Sequence, residues 1–442
     1  MKNLYIQDIL DAPNNGKHEV TLLCWLRTMR HHGVLLFLDV VDSTGNIQVV
    51  VNGSMDKLSR DKVGKIPKES AIAVTGTIHT SPKGTTELWA TKLEVVAEYT
   101  HQLNPSPRAD FPIFDRSYTD HVLQNRSMYL RNPKQANVLS FKSKFVFEIH
   151  KYFQHNGYTL IEPPVLTEML LYDDSTAFDF SYLDNKVWLS QCCTFQLEPA
   201  IMAFEKVYSV TPSFRSEHSR SDRHLNEYTH LKVELAWARL EDLRMVAEDI
   251  IVSLAKNIAI VAEKELRYQG VSIDMDAFIT PFARVTYGEA VEILNQYEPF
   301  AYGKSLGKTS LARLTEHFDN RHIWIDYIPR TAEAFPFSLK PDDPNLVMAS
   351  DLVAPYGFGE IGGIAEKITD KQQLLERMAE KGRSTTYDIE RYKSYIELRD
   401  SGLPYHGGIG MGIDRIARYF MQLPHVKDVM PYPRLFGRRW NP

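Results

Sequence analysis

The chain has 442 residues, of which 43% are hydrophobic and 24% charged, a composition typical of a water-soluble globular protein with two or three domains. Its formal net charge of −5 argues against a protein that coats DNA through a generally basic surface, but permits a local nucleic-acid-binding surface. No apolar run approaches the roughly 18 residues that a membrane-spanning helix requires, and the first ten residues lack the features of a signal peptide. The three cysteines, Cys24, Cys192 and Cys193, give neither a metal spacing nor a disulfide framework. We therefore expect a reducing, cytoplasmic setting.

Residues 19–98 contain five segments rich in β-branched and aromatic residues, separated by turn-forming residues such as those at 42–46 and 81–84. Five short strands with such breaks predict a small closed β-barrel. The OB-fold is the commonest nucleic-acid-binding barrel of this size, although the strands alone are equally compatible with another small barrel or a sandwich fragment. We assign the first domain to residues 1–102.

A polar, proline-containing stretch then indicates a linker, which we place at 103–131. From Asn132 to Gly157 apolar residues recur every three or four positions and predict an amphipathic helix. Beyond it, segments with strand character, among them 188–197, alternate with helical segments. Because few of them form β-α-β units, we expect residues 132–442 to form an α+β domain with an antiparallel sheet flanked by helices.

The most informative stretch lies at 214–228, where a strand, a polar loop and a returning strand follow one another. Such a hairpin can aim Arg215 inward and place Arg223 and His224 at the far side of the loop. Arginine offers a planar set of donors that suits phosphate oxygens, so these residues are candidates for holding a triphosphate, and Tyr228 is a candidate for stacking on a purine. Each residue alone would fit a salt-bridged surface hairpin, whereas the complete string favours the nucleotide site.

A glycine-rich segment at 407–412 precedes Arg415. Glycines at alternate positions let a strand approach a ligand closely, and we expect Arg415 to lie at the start of the following helix. The segment lacks the spacing and the later acidic residue of the dinucleotide-binding fingerprint.

Asp351 and Glu360 flank a turn at 355–357. Two carboxylates near a polyphosphate are suitable ligands for Mg²⁺. Without other support, acidic residues at this spacing are more often ordinary surface charges.

Three segments of the chain resemble the signature motifs of class II aminoacyl-tRNA synthetases. The segment 213–237 resembles motif 2, with the sequence SFRSEHSRSDRHLNEYTHLKVELAW; the segment 407–420 resembles motif 3, with the sequence GGIGMGIDRIARYF; and the helix-turn-Pro-Pro segment 138–164 resembles motif 1. The surrounding sequence, including KVYSVTPSFRSE, ASDLVAPYGFGEIGG and MPYPR, is similar to the aspartyl/asparaginyl subgroup and most similar to archaeal-type asparaginyl enzymes. The resemblance covers nearly the whole chain, including the N-terminal barrel.

This resemblance implies an enzyme that activates an asparagine-like amino acid with ATP, releases pyrophosphate, and transfers the aminoacyl group from the adenylate to tRNA with release of AMP. Such chemistry needs no protein nucleophile and depends on positioning and charge neutralisation. The implied catalytic residues are Arg215 and Arg415. The implied ATP-binding residues are Arg215, Glu217, Arg223, His224, Tyr228, Glu360 and Arg415. Asp351 and Glu360 are the implied ligands of Mg²⁺.

In the barrel, the resemblance places the anticodon contacts at Arg30, Phe37 and Gln48. An aromatic side chain can stack on an unpaired base, and polar side chains can read base edges. The alternative for Phe37 is a place in the barrel core. The resemblance further implies a homodimer through motif 1.

The resemblance also implies an amino-acid pocket, whose residues we assign as Tyr172, Asp173, Gln191, Thr194 and Lys367. Three of them depart from the family pattern. Tyr172 stands at the place of the acidic residue that receives the substrate ammonium, and the alternative is that Asp173 or Asp174 shifts into that place. Thr194 replaces a glutamine, and Lys367 replaces an arginine that recognises the substrate side chain. Because lysine does not reproduce the planar recognition of arginine, we predict weak activation of asparagine and better activation of another acid.

Two alternatives use the same scaffold. One is a paralogous adenylate-forming ligase with a different amino-acid substrate or a non-tRNA acceptor. Asparagine synthesis from aspartyl adenylate and ammonia is one form of it, and the barrel at 19–98 weighs against that form because the related stand-alone synthetases lack one. The other is a non-catalytic binding or regulatory protein, which would have no use for a complete ATP site.

Overall fold

The computed structural model describes the chain except for residues 12–17, 54, 56, 102–107, 109, 184, 220 and 441–442. Contacts divide the chain into two compact units, residues 1–108 and 109–442. Among the described helices, none combines the length and the apolar character needed to cross a lipid bilayer.

The first unit is a closed five-stranded barrel. Its elements are α1 (Ile6–Asp11), β1 (Glu19–His32), β2 (Leu35–Val41), β3 (Asn46–Val51), α2 (Lys57–Val63), β4 (Ala71–Thr80) and β5 (Thr86–Ala97). The strands close in the order β1-β2-β3-β5-β4. Alternate residues of β2 and β4 are buried, as expected when one face of each strand lines the barrel interior. This architecture confirms the predicted OB-fold.

The second unit contains the remaining elements. Its helices are α3 (Thr119–Gln124), α4 (Arg126–Tyr129), α5 (Pro133–His155), α6 (Thr194–Phe204), α7 (Leu240–Val261), α8 (Glu263–Gln269), α9 (Tyr287–Asn295), α10 (Lys308–His317), α11 (Lys371–Glu380), α12 (Thr386–Arg391), α13 (Lys393–Glu397) and α14 (Ile413–Phe420). Its strands are β6 (Thr159–Leu160), β7 (Leu166–Thr167), β8 (Asp179–Tyr182), β9 (Asn185–Leu189), β10 (Lys206–Phe214), β11 (Glu227–Ala236), β12 (Ala283–Thr286), β13 (Ile323–Asp326), β14 (Leu339–Lys340), β15 (Asp343–Val347), β16 (Ala349–Ala354), β17 (Gly359–Glu366) and β18 (His406–Gly412). Short 3₁₀ turns occur at Arg116–Tyr118, Asp174–Thr176, Met275–Phe278, Leu398–Asp400 and Val426–Val429.

An eight-stranded sheet forms the centre of this unit, in the order β12-β13-β16-β17-β18-β11-β10-β6. Neighbouring strands are antiparallel except in the two outer pairs, β12–β13 and β10–β6. The predicted α+β class is therefore confirmed, with a sheet that is mixed at its edges. One face of β11 carries Leu231, Val233 and Leu235 into the hydrophobic core beneath the helices. The alternate residues of β11 consequently face the other side of the sheet, where polar groups collect.

Helix α5 begins and ends as the sequence predicts. Asn132 caps its first turn, since the side-chain oxygen accepts a hydrogen bond from the backbone N–H of Lys134 at 2.9 Å, and Pro133 occupies the first helical position. Its apolar face, including Phe141, Phe145 and Ile149, is fully buried in the core of the second unit.

The described part of the predicted linker is structured. Residues 103–107 and 109 of it lie outside the described residues, whereas residues 116–131 form a 3₁₀ turn, α3 and α4. Arg126 is buried and donates hydrogen bonds to the carbonyl oxygens of Pro431 at 2.7 Å and Met430 at 2.5 Å. This part of the chain is therefore anchored within the second unit.

The predicted strand at 188–197 is wrong in its second half, because β9 ends at Leu189 and α6 begins at Thr194. The run of buried apolar residues around Cys192 suits either structure, since short apolar runs do not distinguish a strand from a buried helix. The buried residues Thr194, Leu197, Glu198 and Ile201 follow helical spacing. The helical start turns Thr194 toward the polar face of β11, where it donates a hydrogen bond to Glu234.

Candidate active site

The site is built on the central strands of the sheet, where β11 pairs with β18. His230, Lys232 and Glu234 lie opposite Gly412, Gly410 and Gly408, respectively. A Cβ atom at Gly408 would lie 2.4 Å from Oε1 of Glu234, and one at Gly410 would lie 3.2 Å from Nζ of Lys232. The glycines of β18 thus leave the space above them to the long polar side chains of β11.

A cavity of about 300 Å³ lies over these strands. Its lining includes all seven side chains predicted to bind ATP, together with Asp351. Tyr172, Lys232 and Lys367 line it as well. A second cavity of about 560 Å³ shares Tyr172, Arg215 and Glu333 with the first. The structure therefore brings together residues that lie more than 200 positions apart in the sequence, such as Tyr172 and Arg415.

Arg215 follows β10 directly, and its backbone N–H donates to the carbonyl oxygen of Asn226 at 2.9 Å across the hairpin. Its guanidinium donates to Glu217 Oε1 at 3.1 Å and lies over the ring of Tyr172, 4.3 Å from the centroid. Burial opposes the charge of Arg215, but Tyr228, Tyr172 and Glu217 outweigh it and raise its pKa well above the usual value. A permanently charged, oriented donor group thus faces the cavity.

Further cationic groups meet at the other side of the hairpin loop. Arg415, at the start of α14, donates to the backbone and side-chain oxygens of Glu360 at 3.2 and 3.1 Å, and its Nε donates to the carbonyl oxygen of Arg223 at 3.4 Å. Burial and the nearby Arg415 lower the pKa values of both Arg223 and His224. Nδ1 of His224 is hydrogen-bonded to the hydroxyl groups of Ser219 and Ser221. Mutual repulsion among these groups favours a bound polyanion.

Three carboxylates approach this cationic cluster. Asp351 on β16 lies opposite Gly363, where a Cβ atom would be 3.2 Å from Asp351 Oδ1. Burial, with repulsion from Glu360 and Glu333, raises the pKa of Asp351 well above its usual value. Burial and Glu360 likewise raise the pKa of Glu333 to about 7. Within the described residues, no group of three or more His, Cys, Asp or Glu side chains is arranged to hold a metal ion without other ligands.

The predicted amino-acid pocket is only partly assembled as expected. Lys367 Nζ donates to Thr194 Oγ1 at 3.1 Å, and Thr194 in turn donates to Glu234 Oε1 at 2.6 Å, behind the cavity wall. Gln191 lies outside the cavity lining. Its side chain holds the loop at Tyr172, accepting from the Tyr172 N–H at 3.1 Å and donating to the carbonyl oxygen of Asp173 at 3.2 Å.

The two aspartates beside Tyr172 have other partners. Asp173 caps the 3₁₀ turn by accepting from the N–H of Ser175 at 2.8 Å, and Asp174 forms ion pairs with Arg383 at 3.0 Å and Arg391 at 2.9 Å. Both line the second cavity and lie outside the lining of the first.

Sequence reasoning missed several residues of the site: His230, Lys232 and Glu234 on β11, Glu333 before β14, and Glu198 on α6. A signal for the first three exists in the sequence, because they occupy alternate positions of a strand opposite a glycine-rich strand. No comparable local signal points to Glu333 or Glu198.

In the barrel, the three predicted anticodon residues lie on adjacent strands. Arg30 on β1 pairs with Phe37 on β2, and Arg30 donates to the Gln48 side chain on β3 at 3.1 Å. Gln48 donates onward to Glu87 at 2.7 Å. Phe37 is half-buried between the core residues Leu36 and Leu38, so its side chain points away from the barrel core. The barrel-core interpretation of Phe37 is therefore wrong.

Comparisons with known proteins agree with this architecture. The model of class II tRNA synthetases (D, K and N) matches residues 119–435, and the model of the OB-fold nucleic acid binding domain matches residues 20–96. The asparagine–tRNA ligase of Thermococcus gammatolerans is 30% identical over 439 residues, with 98% of each chain covered. The enzyme of that name from Pyrococcus horikoshii is 31% identical over 451 residues, with 99% of each chain covered.

Solved structures give the same result. The asparaginyl-tRNA synthetase from Pyrococcus horikoshii complexed with asparaginyl-adenylate aligns over 100% of both chains, with a TM-score of 0.90 and 30% identity. The Entamoeba histolytica enzyme in complex with asparaginyl-adenylate aligns over 97% of this chain and 98% of its own, with a TM-score of 0.84 and 27% identity. The chain therefore belongs to the class II tRNA synthetases and is an aminoacyl-tRNA ligase with an N-terminal OB-fold domain.

Proposed function

We propose that the cavity over β11 and β18 activates an amino acid with ATP and that the aminoacyl group then passes to a tRNA whose anticodon contacts the barrel. The observation that carries this proposal is the convergence of Arg215, Arg223, His224 and Arg415 on one cavity, in a chain whose relatives over its full length are tRNA ligases. The OB-fold barrel favours tRNA over another acceptor.

Within this cavity, Arg215 would hold the α-phosphate and the charge that develops on it during attack by the substrate carboxylate. Tyr228 would stack on the adenine and Glu217 would accept a hydrogen bond from it. Arg223, His224 and Arg415 would hold the outer phosphates. Catalysis then consists of orientation and of electrostatic stabilisation by donors already fixed in place.

Asp351 and Glu360 fit a divalent cation. The raised pKa of Asp351, caused by burial and by the neighbouring Glu360 and Glu333, shows repulsion among carboxylates that a bound cation would relieve. These two side chains would hold Mg²⁺ together with phosphate oxygens. Mg²⁺, when bound there, neutralises phosphate charge.

Glu333 is a candidate for receiving the substrate ammonium. It lines both cavities near Arg215 and Tyr172, whereas Asp173 and Asp174 are engaged elsewhere. Glu333 would then take the role that the family assigns to an acidic residue at the position of Tyr172.

The homodimer and the cytoplasmic location are further parts of the proposal. Residues 138–164 would form the two-fold interface, since Phe147 on α5 and Leu160 on β6 are exposed and isologous packing would cover them. Light scattering at micromolar concentration should give the mass of two chains, and a monomer would contradict this part. Charging of tRNA belongs in the compartment that contains tRNA, which we take to be the cytoplasm.

A direct test of the function is ATP–pyrophosphate exchange across a panel of amino acids, followed by acylation of total tRNA with those that support exchange. We expect exchange with a small subset of acids and acylation of one tRNA family. Relatives with 30% identity are named as acting on asparagine, but the changes at Tyr172, Thr194 and Lys367 lead us to expect a weak signal with it. Absence of exchange with every amino acid would contradict the proposed function.

A further inference from the structure

Lys232 is a charged side chain that the proposed chemistry has not used. The residue is 8% exposed, and it lines the cavity from the middle of β11. In the part of the chain that the structure describes, its ammonium makes no hydrogen bond and no ion pair within 4.0 Å, although Glu234, two residues further along β11, interacts with it electrostatically. Buried lysines without partners are rare because desolvation opposes their charge. Its place at a ligand cavity therefore suggests a ligand as the partner.

The position of Lys232 in the sheet separates it from the carboxylates of the site. Asp351, Gly363, Gly410 and Lys232 lie opposite one another on the successive strands β16, β17, β18 and β11. Three strand spacings of ~4.8 Å put the backbones of Asp351 and Lys232 roughly 14 Å apart. The two glycines between them leave a bare floor with an acid at one end and a lysine at the other.

Two buried carboxylates at this end, Glu234 and Glu198, also interact with other cations, although Oε2 of Glu234 makes no hydrogen bond. Glu234 accepts from Thr194 at 2.6 Å and lies 3.8 Å from Lys367 Nζ. Glu198 pairs with Arg399 at 3.0 Å and lies 4.0 Å from Lys367. Lys232 and Lys367 line the cavity, and behind them lie Arg399 and the two carboxylates Glu198 and Glu234, so three cations share two carboxylates.

The neighbours of Lys232 do not remove this excess of positive charge. Burial lowers the pKa of Lys232, but Cys192 and Glu234 raise it by more, so the ammonium remains charged at neutral pH. Burial, Lys232 and Arg215 lower the pKa of the adjacent His230 well below its usual value, so this imidazole is neutral.

From this geometry we infer that Lys232 is a specificity-determining residue, and that the activated substrate is an amino acid whose side chain ends in an anion, which binds Lys232 over the Gly363–Gly410 floor. This inference rests on the proposed function and names its substrate class. A neutral carboxamide would leave the ammonium of Lys232 with only the shared carboxylate of Glu234 as a counter-charge in a desolvated place. A carboxylate or sulfonate of similar size completes the ion pair.

Matched substrates test this assignment. ATP–pyrophosphate exchange is measured with aspartate, asparagine and cysteate, since the first two differ only in the charge of the side-chain terminus. We expect kcat/KM for aspartate to exceed that for asparagine by about 100-fold or more, and cysteate to support exchange. In Lys232→Gln, the preference should fall to within about tenfold, chiefly through loss of activity with the anionic substrates.

A second measurement does not depend on catalysis. Non-hydrolysable sulfamoyl analogues of aspartyl- and asparaginyl-adenylate share every group except the side-chain terminus. The aspartyl analogue should raise the melting temperature of the wild-type protein more than the asparaginyl analogue does, and Lys232→Gln should remove this difference. Lys232→Arg, which keeps the charge, should preserve the preference for the anionic analogue.

The outcomes separate this inference from the proposed function. Preference of the wild-type protein for asparagine or another neutral amino acid would overturn the role of Lys232 and leave the ligase function intact. An equal loss for aspartate and asparagine in Lys232→Gln would also overturn it, because Lys232 would then bind a group common to both. Absence of exchange with any amino acid, and of stabilisation by either analogue, would contradict both.

Discussion

The charged side chains at the two ends of the cavity differ in their exposure to solvent. At the nucleotide end, the side chains of Arg215 and Glu217 are 28% and 30% exposed and pair across the hairpin. At the amino-acid end, the side chains of Lys367 and Glu234 are 1% and 0% exposed and locked into a buried network. Hydrated charges can be removed at little cost to the fold, whereas breaking a buried network costs stability. Substitutions at the nucleotide end should therefore change mainly activity, whereas substitutions at the amino-acid end should change both activity and stability.

The largest effect on stability is expected from Lys367→Met. The substitution removes the buried cation that lies 3.8 Å from Glu234 and 4.0 Å from Glu198, and loss of one partner of a buried pair costs about 3–5 kcal/mol. Chemical denaturation followed by circular dichroism should show this loss in the free energy of unfolding of the second unit. Lys371→Met, which removes an exposed lysine paired with Asp400, is the control and should cost less than about 1 kcal/mol. Equal stability of the two variants would contradict the expected difference between buried and exposed charges.

Arg215→Ala should greatly reduce activity and have little effect on stability. Removing a charged donor at the α-phosphate should raise the barrier to adenylate formation by about 3 kcal/mol or more, seen as a loss of over 100-fold in pyrophosphate exchange. The melting temperature should change little, because the side chain is partly hydrated. Near-normal exchange would contradict the assignment of Arg215.

The barrel offers a third region for the comparison, and Phe37→Ala tests it. Loss of one stacking contact with a base should cost about 1–3 kcal/mol in tRNA binding. Acylation of tRNA should weaken accordingly, while tRNA-independent pyrophosphate exchange stays unchanged. If both activities fell together, Phe37 would have a structural role instead.

The smallest effect concerns pH. The folded-state pKa of Glu333, about 7, lies above its usual value of 4.5 because of burial and Glu360, so the folded protein holds a proton there that the unfolded chain releases. Stability should therefore fall as pH rises through the window from about 4.5 to 7. We expect the melting temperature of the unliganded protein to decrease by about 3–4 °C over this range, and Glu333→Gln to flatten the dependence. A rise with pH that is absent from the variant would contradict the assigned shift.

The sequence predicted all the cavity-lining residues that we assign to ATP, but of the amino-acid end it predicted only Tyr172 and Lys367. Arg215, Arg223 and His224 lie within one hairpin, so their common purpose is visible in a short string. Lys232, Thr194 and Lys367 come from a strand, a helix and a loop, and only the folded sheet shows which of them faces the cavity. The start of α6 at Thr194 was missed because it follows a short run of buried apolar residues around Cys192, which is compatible with a strand or a helix. The domain boundaries at 102 and 132 remain predictions.

The pair of glycines at 363 and 410 has a consequence for how such an enzyme diverges. Side chains on β11 extend over a surface without Cβ atoms, so a residue of either charge and considerable length fits there without displacing a neighbour. The helices beneath the sheet pack against the opposite face of β11 and are unaffected by such an exchange. Substrate preference can thus drift by single replacements at positions such as 232 while the hydrophobic core stays constant. Few substitutions are consequently needed for this fold to acquire a new amino-acid specificity.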